Sequence, residues 1–275
     1  MGERFVLTGF GDEISPDLNE QVDTLAGLDI QYMDLRSCDG INVLDLAPSD
    51  LRRIHDVCAE KGIRIQSIGS PVNKVPFDVM NQAPEFEKLR KAIKAAQHVN
   101  VKRVRIFSPE VPPDKHDEMS KRVISWLSEQ RRLADDYGVT LMHENDGTLW
   151  GAYPQNAKRL FEALGSPSFR AVFDFANSTL IGFDAQTDWL PWLTPYLDTI
   201  HVKDAIHSEG RVVPTGEGDG KIAESLRYLI AQDWSGALTL EPHLDSAGKF
   251  GGFSGGKLFG VAAEALRQAI AQAGG

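Results

Sequence analysis

The second half of the chain carries a metal-binding residue type after each of four apolar runs. These residues are Glu144 in VTLMHEN, Asp174 in AVFDF, His201 in TIHVKD and Glu241 in LTLEPH. Three carboxylates and one imidazole suit a divalent ion such as Mn2+, Mg2+, Co2+ or Zn2+. A cation would also remove the repulsion between carboxylates that lie close together. We therefore predict one divalent metal site, provided that the fold brings the four side chains together.

The elements that must position these side chains alternate along the whole chain. Short apolar runs are separated by longer segments with helical patterning, which is typical of strand–helix units on a parallel sheet. The predicted strands are residues 5–9, 32–36, 63–68, 104–107, 140–144, 171–175, 199–203 and 237–241. Eight such units without a linker predict a single α/β domain over residues 1–275. Its expected architecture is a (β/α)8 TIM barrel, with the active site at the carboxyl ends of the strands.

An open doubly wound sheet is the alternative architecture, but no GxGxxG fingerprint follows the first strand. Local signals also predict where helices begin. Ser15 and Pro16 are expected to open the first helix as N-cap and first helical residue, and the third helix is expected to follow Pro84. Pro191 and Pro195 interrupt the sixth helical segment, so short or bent helices are expected there.

Composition excludes several classes of function. The net charge of −10 argues against a nucleic-acid-binding protein, which needs a basic surface. Cys38 and Cys58 are too few and too widely spaced for a disulfide framework and are expected to be free thiols. No secretory signal and no membrane-length apolar run is visible, so we expect a cytoplasmic protein without membrane partners. A homo-oligomer is compatible with the sequence.

The alternation of side chains along a strand extends the predicted site. If Glu241 points into the barrel, so does His243, and if His201 points inward, so does Lys203. Lys203 then either binds substrate or forms a salt bridge with a strand-end carboxylate. His143 is expected to point away from the site, towards the helices.

Several of these segments are familiar as a set. They are GDEIS at 11–15, YMDLRS at 32–37, IGSPVNKVP at 68–76, HEN at 143–145, FDFAN at 173–177, HVKD at 201–204, VPTGEGDG at 213–220 and LEPH at 240–243. Together they make the chain resemble the xylose isomerase-like TIM barrels, also called the sugar phosphate isomerase/epimerase family. The resemblance implies one divalent metal, commonly Mn2+, on the same four ligands. It also implies that Glu144 and Glu241 move a substrate proton.

The resemblance adds substrate-binding candidates and one departure. Glu13 and Arg36, which follow the first two strands, are expected to bind sugar hydroxyls, and Arg211 resembles a substrate-binding arginine of related epimerases. Many family members have a histidine three residues after the sixth-strand aspartate, where this chain has Asn177. This difference leaves a sugar-like small molecule as the expected substrate class.

Other residues near the expected barrel mouth have simpler alternatives. Glu217 is expected to lie in a glycine-held turn before the seventh helix, and Trp150 and Phe253 are either apolar walls of the site or packing residues. The glycine-rich stretch 249–257 is expected to be a mobile loop over the barrel mouth.

Two enzymatic hypotheses follow. The first is a metal-dependent isomerase or epimerase of a keto sugar or sugar derivative. The alternative is a metal-dependent lyase or hydratase acting on 3-keto-glycosides, with or without a partner subunit, which Asn177, His143 and His243 favour. The DNA-repair branch of the family uses three zinc ions and more histidines than this chain offers. A non-catalytic sugar-binding protein would retain four in-phase ligands at a cost in buried charge.

Overall fold

Eight parallel strands form the barrel in the computed structural model, which describes residues 4–245 and 253–275. In chain order they are β1 (Phe5–Gly9), β2 (Tyr32–Leu35), β3 (Arg64–Ile68), β4 (Arg103–Ile106), β5 (Thr140–Glu144), β6 (Phe169–Asp174), β7 (Leu197–Val202) and β8 (Gly236–Leu240). From β2 to β8 each strand pairs with the next one in the chain, and β8 pairs with β1. A bridge between Phe10 and Asp34 joins β1 to β2. The predicted α/β TIM barrel is confirmed.

Strand register places a polar layer inside the barrel. Thr8 of β1 lies opposite Thr239 of β8, and Thr239 lies opposite His201 of β7. Asp34 of β2 accepts hydrogen bonds from Thr8 (2.8 Å), Thr239 (3.0 Å) and Ser67 of β3. Burial raises the pKa of the Asp34 carboxyl, and these hydroxyl donors oppose that rise. Because hydroxyls from three strands meet one carboxyl, the layer fixes their relative positions.

Helices cover the outside of the barrel and bury their apolar faces against the strands. The longer helices are Leu18–Gly27, Pro48–Glu60, Val79–His98, His116–Asp136, Pro154–Leu164, Ile222–Ala231 and Gly255–Ala273. None of the helices in the described ranges combines the length and the apolar character that crossing a membrane requires.

Two predicted helix starts are wrong. Ser15 accepts a hydrogen bond from the backbone of Asp17, only two residues on, which makes a turn before the helix. Asp17 is the N-cap instead, because its carboxylate reaches the backbone N–H of Glu20 at 3.0 Å. The third helix begins at Val79, before Pro84, because Asp78 caps it through the backbone N–H of Met80. Pro84 therefore lies inside that helix, at an exposed position.

The sixth unit is broken into short pieces, as its prolines predicted. After β6 come a six-residue helix, Phe175–Leu180, and a wide turn, Ala185–Trp189. Two further short pieces follow, Leu190–Leu193 and Thr194–Tyr196, with Pro191 and Pro195 in their first turns. Proline is tolerated there because the first N–H groups of a helix have no intrahelical partner.

Two small antiparallel hairpins extend the loops at the carboxyl ends of strands. Ser37–Cys38 pairs with Ile41–Asn42 after β2, and Asp204–Ile206 pairs with Arg211–Val213 after β7. Cys38 and Cys58 are buried free thiols, in agreement with the sequence. The expected loop at 249–257 lies partly outside the described residues, which leave out 246–252.

Candidate metal centre

The four predicted ligands lie together at the carboxyl ends of β5 to β8. One ligand atom each from Glu144, Asp174, His201 and Glu241 can be chosen so that all lie within 4.8 Å of one another. Nδ1 of His201 is 3.2 Å from Oε1 of Glu144 and 3.3 Å from Oε2 of Glu241. None of the four side chains belongs to a residue more than 4% exposed. Buried acidic side chains at such distances need compensating positive charge.

The hydrogen bonding of this cluster is incomplete in a way that fits a cation. Oδ2 of Asp174, Nδ1 of His201 and Oε2 of Glu241 are buried and make no well-aligned hydrogen bond among the described residues; their near neighbours are one another, Oε1 of Glu144 and Nζ of Lys203. Buried polar atoms are normally paired, because an unpaired one loses its hydration without replacement. Oxygen and imidazole nitrogen are the atoms that a borderline divalent ion binds. The donor set therefore fits a metal ion.

Asp174 divides its carboxylate between two tasks. Its Oδ1 caps the helix Phe175–Leu180 by accepting from the backbone N–H of Asn177 at 2.8 Å. Its Oδ2 faces the cluster and lies 2.9 Å from Nζ of Lys203. The cap fixes the carboxylate plane, so a strand end and a helix start together orient this candidate ligand.

The pKa shifts in the cluster indicate that a proton on His201 competes with a cation. Burial lowers the pKa of His201, but Glu144 and Glu241 outweigh it and raise this pKa to about 10. Burial raises the pKa of Glu144, but His201 and Arg105 bring it to about 2. Burial, with the two glutamates, raises the pKa of Asp174 to about 6 against the effect of Lys203. A divalent ion would therefore displace a proton from His201.

Side-chain alternation predicted the surroundings of this cluster correctly. Lys203 points inward, and its Nζ lies 3.8 Å from Oε2 of Glu241 in addition to its contact with Asp174. The salt-bridge alternative is thus present in the structure. His143 points to the helices, with its ring 5.9 Å from that of Phe161. Burial lowers the pKa of His143 to about 4, so this side chain is a neutral packing residue.

Glu13 and His243 form a second group next to the first. Nε2 of His243 lies 3.1 Å from Oε1 of Glu13 and 3.5 Å from Oε1 of Glu241. Oε2 of Glu13 accepts from the backbone N–H of His243 and from the hydroxyl of Ser254. Glu13 therefore ties together the two segments that flank residues 246–252.

Arg36 supplies positive charge to this second group. Its guanidinium contacts Glu13 at 3.1 Å, Glu241 at 2.7 Å and Asp12 at 2.8 Å. Glu13, Glu241 and His243 also have the geometry of a metal-binding group. Because the guanidinium lies between Glu13 and Glu241, a second ion is not needed to compensate these carboxylates.

Arg105 is a site residue that the sequence interpretation missed. It lies on β4, is buried, and places Nη1 3.1 Å from Oε2 of Glu144 and 3.9 Å from Oε1 of Glu241. The strand sequence RVRI alternates basic and apolar residues. Since alternate residues share a face, Arg103 and Arg105 point to one side and Val104 and Ile106 to the other. That alternation could have indicated an inward arginine.

Asn177, at the position where the family resemblance led us to expect a histidine, lies beside a candidate ligand. Its Nδ2 is 3.5 Å from Oε1 of Glu144 and 3.1 Å from the carbonyl oxygen of Asn145. Asn145 in turn exchanges two hydrogen bonds with the backbone of Asp174, at 2.8 and 3.0 Å. Asn145, which the sequence analysis did not single out as a site residue, joins the ends of β5 and β6.

Of the remaining predicted residues, Arg211 and Trp150 contact groups outside the cluster. Arg211 is 59% exposed and pairs with Glu209 at 2.8 Å within the second hairpin. Trp150 is fully buried and donates to the carbonyl oxygen of His116, which supports packing rather than a wall of the site. The carbonyl oxygen of Phe253 accepts from the backbone of Asp245.

The turn at 214–220 is held by a side chain as well as by its glycines. Asp204, the last residue of the HVKD segment, accepts from the backbone N–H groups of Gly216, Gly218 and Gly220 at 2.9–3.3 Å. Glu217 is exposed in this turn, which agrees with a structural rather than a chemical role. The sequence predicted the turn but not its acceptor.

Comparison with known proteins finds a family model, a curated relative and solved structures that resemble this chain. The family model described as xylose isomerase-like TIM barrel matches residues 22–269. A 2-epi-5-epi-valiolone 7-phosphate 2-epimerase from Actinoplanes sp. is 33% identical over 100 residues. That match covers 35% of this chain and 34% of the relative, so it spans about a third of the length of the curated relative.

Solved structures share the fold at low sequence identity. A D-tagatose 3-epimerase-like protein superimposes with a TM-score of 0.78 at 16% identity, covering 96% of this chain and 97% of the other. A protein named IOLI, solved with a bound zinc atom, superimposes with a TM-score of 0.76 at 14% identity, covering 96% and 98%. At these identities the likeness establishes the barrel fold.

Proposed function

The chain belongs to the xylose isomerase-like TIM barrel family, and from this premise we propose that it is a metal-dependent isomerase or epimerase of a keto sugar or sugar derivative. The observation that carries the proposal is the buried group of Glu144, Asp174, His201 and Glu241. Three of its ligand atoms are buried without a well-aligned hydrogen bond among the described residues. Such a donor set suits Mn2+ first, with Mg2+, Co2+ and Zn2+ as alternatives.

The proposed chemistry is proton transfer next to a carbonyl group. A bound divalent ion would polarise a carbonyl and the neighbouring hydroxyl, which acidifies the C–H bond of the carbon that bears this hydroxyl. Glu144 and Glu241 are proposed to remove and return the proton, which is the role that the family resemblance implies for them, and each places an oxygen within 3.3 Å of Nδ1 of His201. Asp174 and His201 serve as ligands only.

The surrounding side chains are proposed to hold the substrate. Lys203 lies beside Asp174 and Glu241, where its ammonium can stabilise negative charge that develops on a substrate oxygen. Asn177 and His243 are proposed to bind hydroxyl groups, since each lies beside one of the two glutamates. Glu13 and Arg36 are proposed to act mainly through His243 and Glu241. Arg211 is proposed to contact the substrate from the exposed hairpin after β7.

The proposed substrate is a small polyhydroxylated carbonyl compound. The proteins named above include a 2-epi-5-epi-valiolone 7-phosphate 2-epimerase and a D-tagatose 3-epimerase-like protein. What these two names share is epimerisation of a polyhydroxylated molecule. The proposal is therefore confined to that class.

Hydrogen exchange tests this function. The Mn2+-loaded protein is incubated in D2O with a panel of keto sugars, and loss of the proton signal next to the carbonyl is followed by NMR. We expect exchange with at least one sugar, its loss on chelation, and its loss in Glu144→Gln and Glu241→Gln. Glu60→Gln is the matched control because Glu60 is exposed at the end of the helix Pro48–Glu60, which precedes the start of β3. Absence of exchange with every keto sugar would contradict the proposal.

A lyase or hydratase acting on 3-keto-glycosides is the second candidate, and Asn177 favours it. This asparagine stands beside Glu144 where related epimerases have a histidine. His243 is the imidazole available to protonate a leaving group, because His143 faces the helices. Release of the aglycone from a 3-keto-glucoside, without exchange in simple keto sugars, would favour this candidate over the first.

A further inference from the structure

Each of the two glutamates in the candidate metal centre divides its oxygens between two sides. Oε1 of Glu144 and Oε2 of Glu241, here called the inner oxygens, lie 3.2 and 3.3 Å from Nδ1 of His201. Oε2 of Glu144 and Oε1 of Glu241, here called the outer oxygens, face arginines. The outer oxygens lie 3.1 Å from Nη1 of Arg105 and 2.7 Å from Nη1 of Arg36. The same division thus occurs twice.

Both guanidinium groups lie against one aromatic ring. The Arg36 and Arg105 guanidinium carbons are 4.6 and 5.1 Å from the centroid of the Phe10 ring. The same ring meets His201 edge-on, with centroids 5.2 Å apart and an interplanar angle of 84°. Phe10 is 1% exposed, and a β-carbon on Gly69 would lie 2.6 Å from its ring. The ring is therefore held in place, and cation–π contacts favour the guanidinium positions.

Further partners fix each guanidinium independently of the glutamates. Nε of Arg36 donates to the carboxylate of Asp12 at 2.8 Å. Arg105 donates to the backbone carbonyl oxygens of Gly69 and Ser70 at 3.3 and 3.4 Å. Since a guanidinium is planar and presents its N–H groups in a fixed fork, these contacts determine where the remaining N–H groups point. Lysine, a flexible point charge, cannot do this.

We propose that Arg36 and Arg105, seated on Phe10, are positioning residues that hold the outer oxygens, so that each glutamate offers a metal ion one oxygen only. The inference rests on the proposed function in one respect, that the four ligands bind a divalent ion. It assigns to these two arginines an action through Glu144 and Glu241 rather than contact with the ion. Outer partners of this kind orient ligands and tune metal affinity.

The opposite expectation follows if the arginines only compensate charge. A cation near the ligands repels a divalent ion, so removing it would tighten metal binding, and replacing it with lysine would change nothing. Positioning instead requires the guanidinium fork, so lysine fails to replace it. Arg105→Lys therefore separates the two roles. Arg103→Lys is the matched control, because Arg103 lies on the same strand and pairs with Asp198 at 2.9 Å, away from the cluster.

The experiment is a Co2+ titration of the full chain, with Kd and visible absorption as readouts and thermal unfolding to verify the fold. We expect Co2+ to bind about tenfold more weakly to Arg105→Lys than to the unsubstituted protein. The visible bands should also change in position or intensity, because the coordination number of Co2+ controls them. The Arg103→Lys control should match the unsubstituted protein in both readouts.

Each other outcome is informative. Equal or tighter binding by Arg105→Lys with an unchanged spectrum overturns the inference, as does an equal weakening in Arg103→Lys. If Arg105→Lys does not fold, Arg36→Lys is judged by the same criteria, since Arg36 holds the other outer oxygen. An unsubstituted protein that binds no Co2+ contradicts the proposed function itself, which is a different result from an altered affinity.

Discussion

The two halves of the barrel contribute different groups to the same site. Strands β5 to β8 end in the candidate ligands, three carboxylates and one imidazole. The first half contributes Arg36, which follows β2, and Arg105 of β4, both buried against the ring of Phe10. The second half therefore offers the ligand atoms, whereas the arginines of the first half hold two of the ligands in place. The closed barrel makes this division feasible because all strand ends meet at one mouth.

The largest expected effect comes from removing a charge of the first half. Arg36→Met should lower the free energy of unfolding by about 3–5 kcal/mol, because it leaves Asp12, Glu13 and Glu241 buried without their partner. Urea unfolding measures this. Arg53→Met, which removes a half-exposed pair with Asp39, should cost less than about 1 kcal/mol. Equal effects of the two substitutions would show that the buried arginine is no more important than a surface one.

Removing a ligand of the second half should act on metal binding. His201→Ala should weaken Mn2+ binding more than about 100-fold, beyond the range for residues that only orient ligands. Isothermal titration calorimetry measures the change. His207→Ala is the control, because His207 is bound to the carbonyl oxygen of Thr179, outside the cluster. Mn2+ binding by His201→Ala that matches the control would remove this imidazole from the ligand set.

The pH dependence of metal binding sharpens the same comparison. The pKa of His201 is raised to about 10, and a protonated imidazole cannot bind a metal ion. Metal affinity should therefore rise roughly tenfold per pH unit from neutral pH towards 10 and fall as pH decreases. Glu144, whose pKa is lowered to about 2, stays ionised over this range and adds no dependence. A Kd for Co2+ that is equal at pH 6.5 and 8.5 would contradict this account.

The smallest expected effect is that of an uncharged neighbour. Asn177→His introduces the histidine that the family resemblance led us to expect, and it removes two hydrogen bonds, of which only the long one of 3.5 Å reaches a candidate ligand, Glu144. Such a bond contributes about 1 kcal/mol at most, so metal affinity should change less than about fivefold. Substrate preference in the hydrogen-exchange assay should change more than affinity does. A large loss of Mn2+ binding would instead place residue 177 among the groups that hold the ion.

The sequence predicted the second half of the site better than the first. The four candidate ligands follow apolar runs at the same point of successive strand–helix units, and a barrel must bring such positions together. Lys203 and the outward His143 follow from the alternation of side chains along strands. These predictions need only the element type and its direction.

The first half depends on contacts between loops, which a pattern does not encode. Glu13 and Arg36 were predicted as sugar-binding residues. The structure pairs them with each other and with Glu241 and His243, which follow β8. His243 adopts a backbone φ of 48°, which helps to direct its ring to Glu13. A strained local conformation of this kind is fixed by its surroundings rather than by the residue type.

The central claim is that a single ion binds between the four ligands of the second half of the barrel. Arg36 and Arg105 of the first half orient two of these ligands, Glu241 and Glu144. The direct measurement is anomalous diffraction at the manganese edge from crystals of the Mn2+-loaded protein. We predict one peak per chain, about 2.0–2.3 Å from one atom each of Glu144, Asp174, His201 and Glu241. A peak between Glu13, Glu241 and His243, or none in either position, would contradict the account.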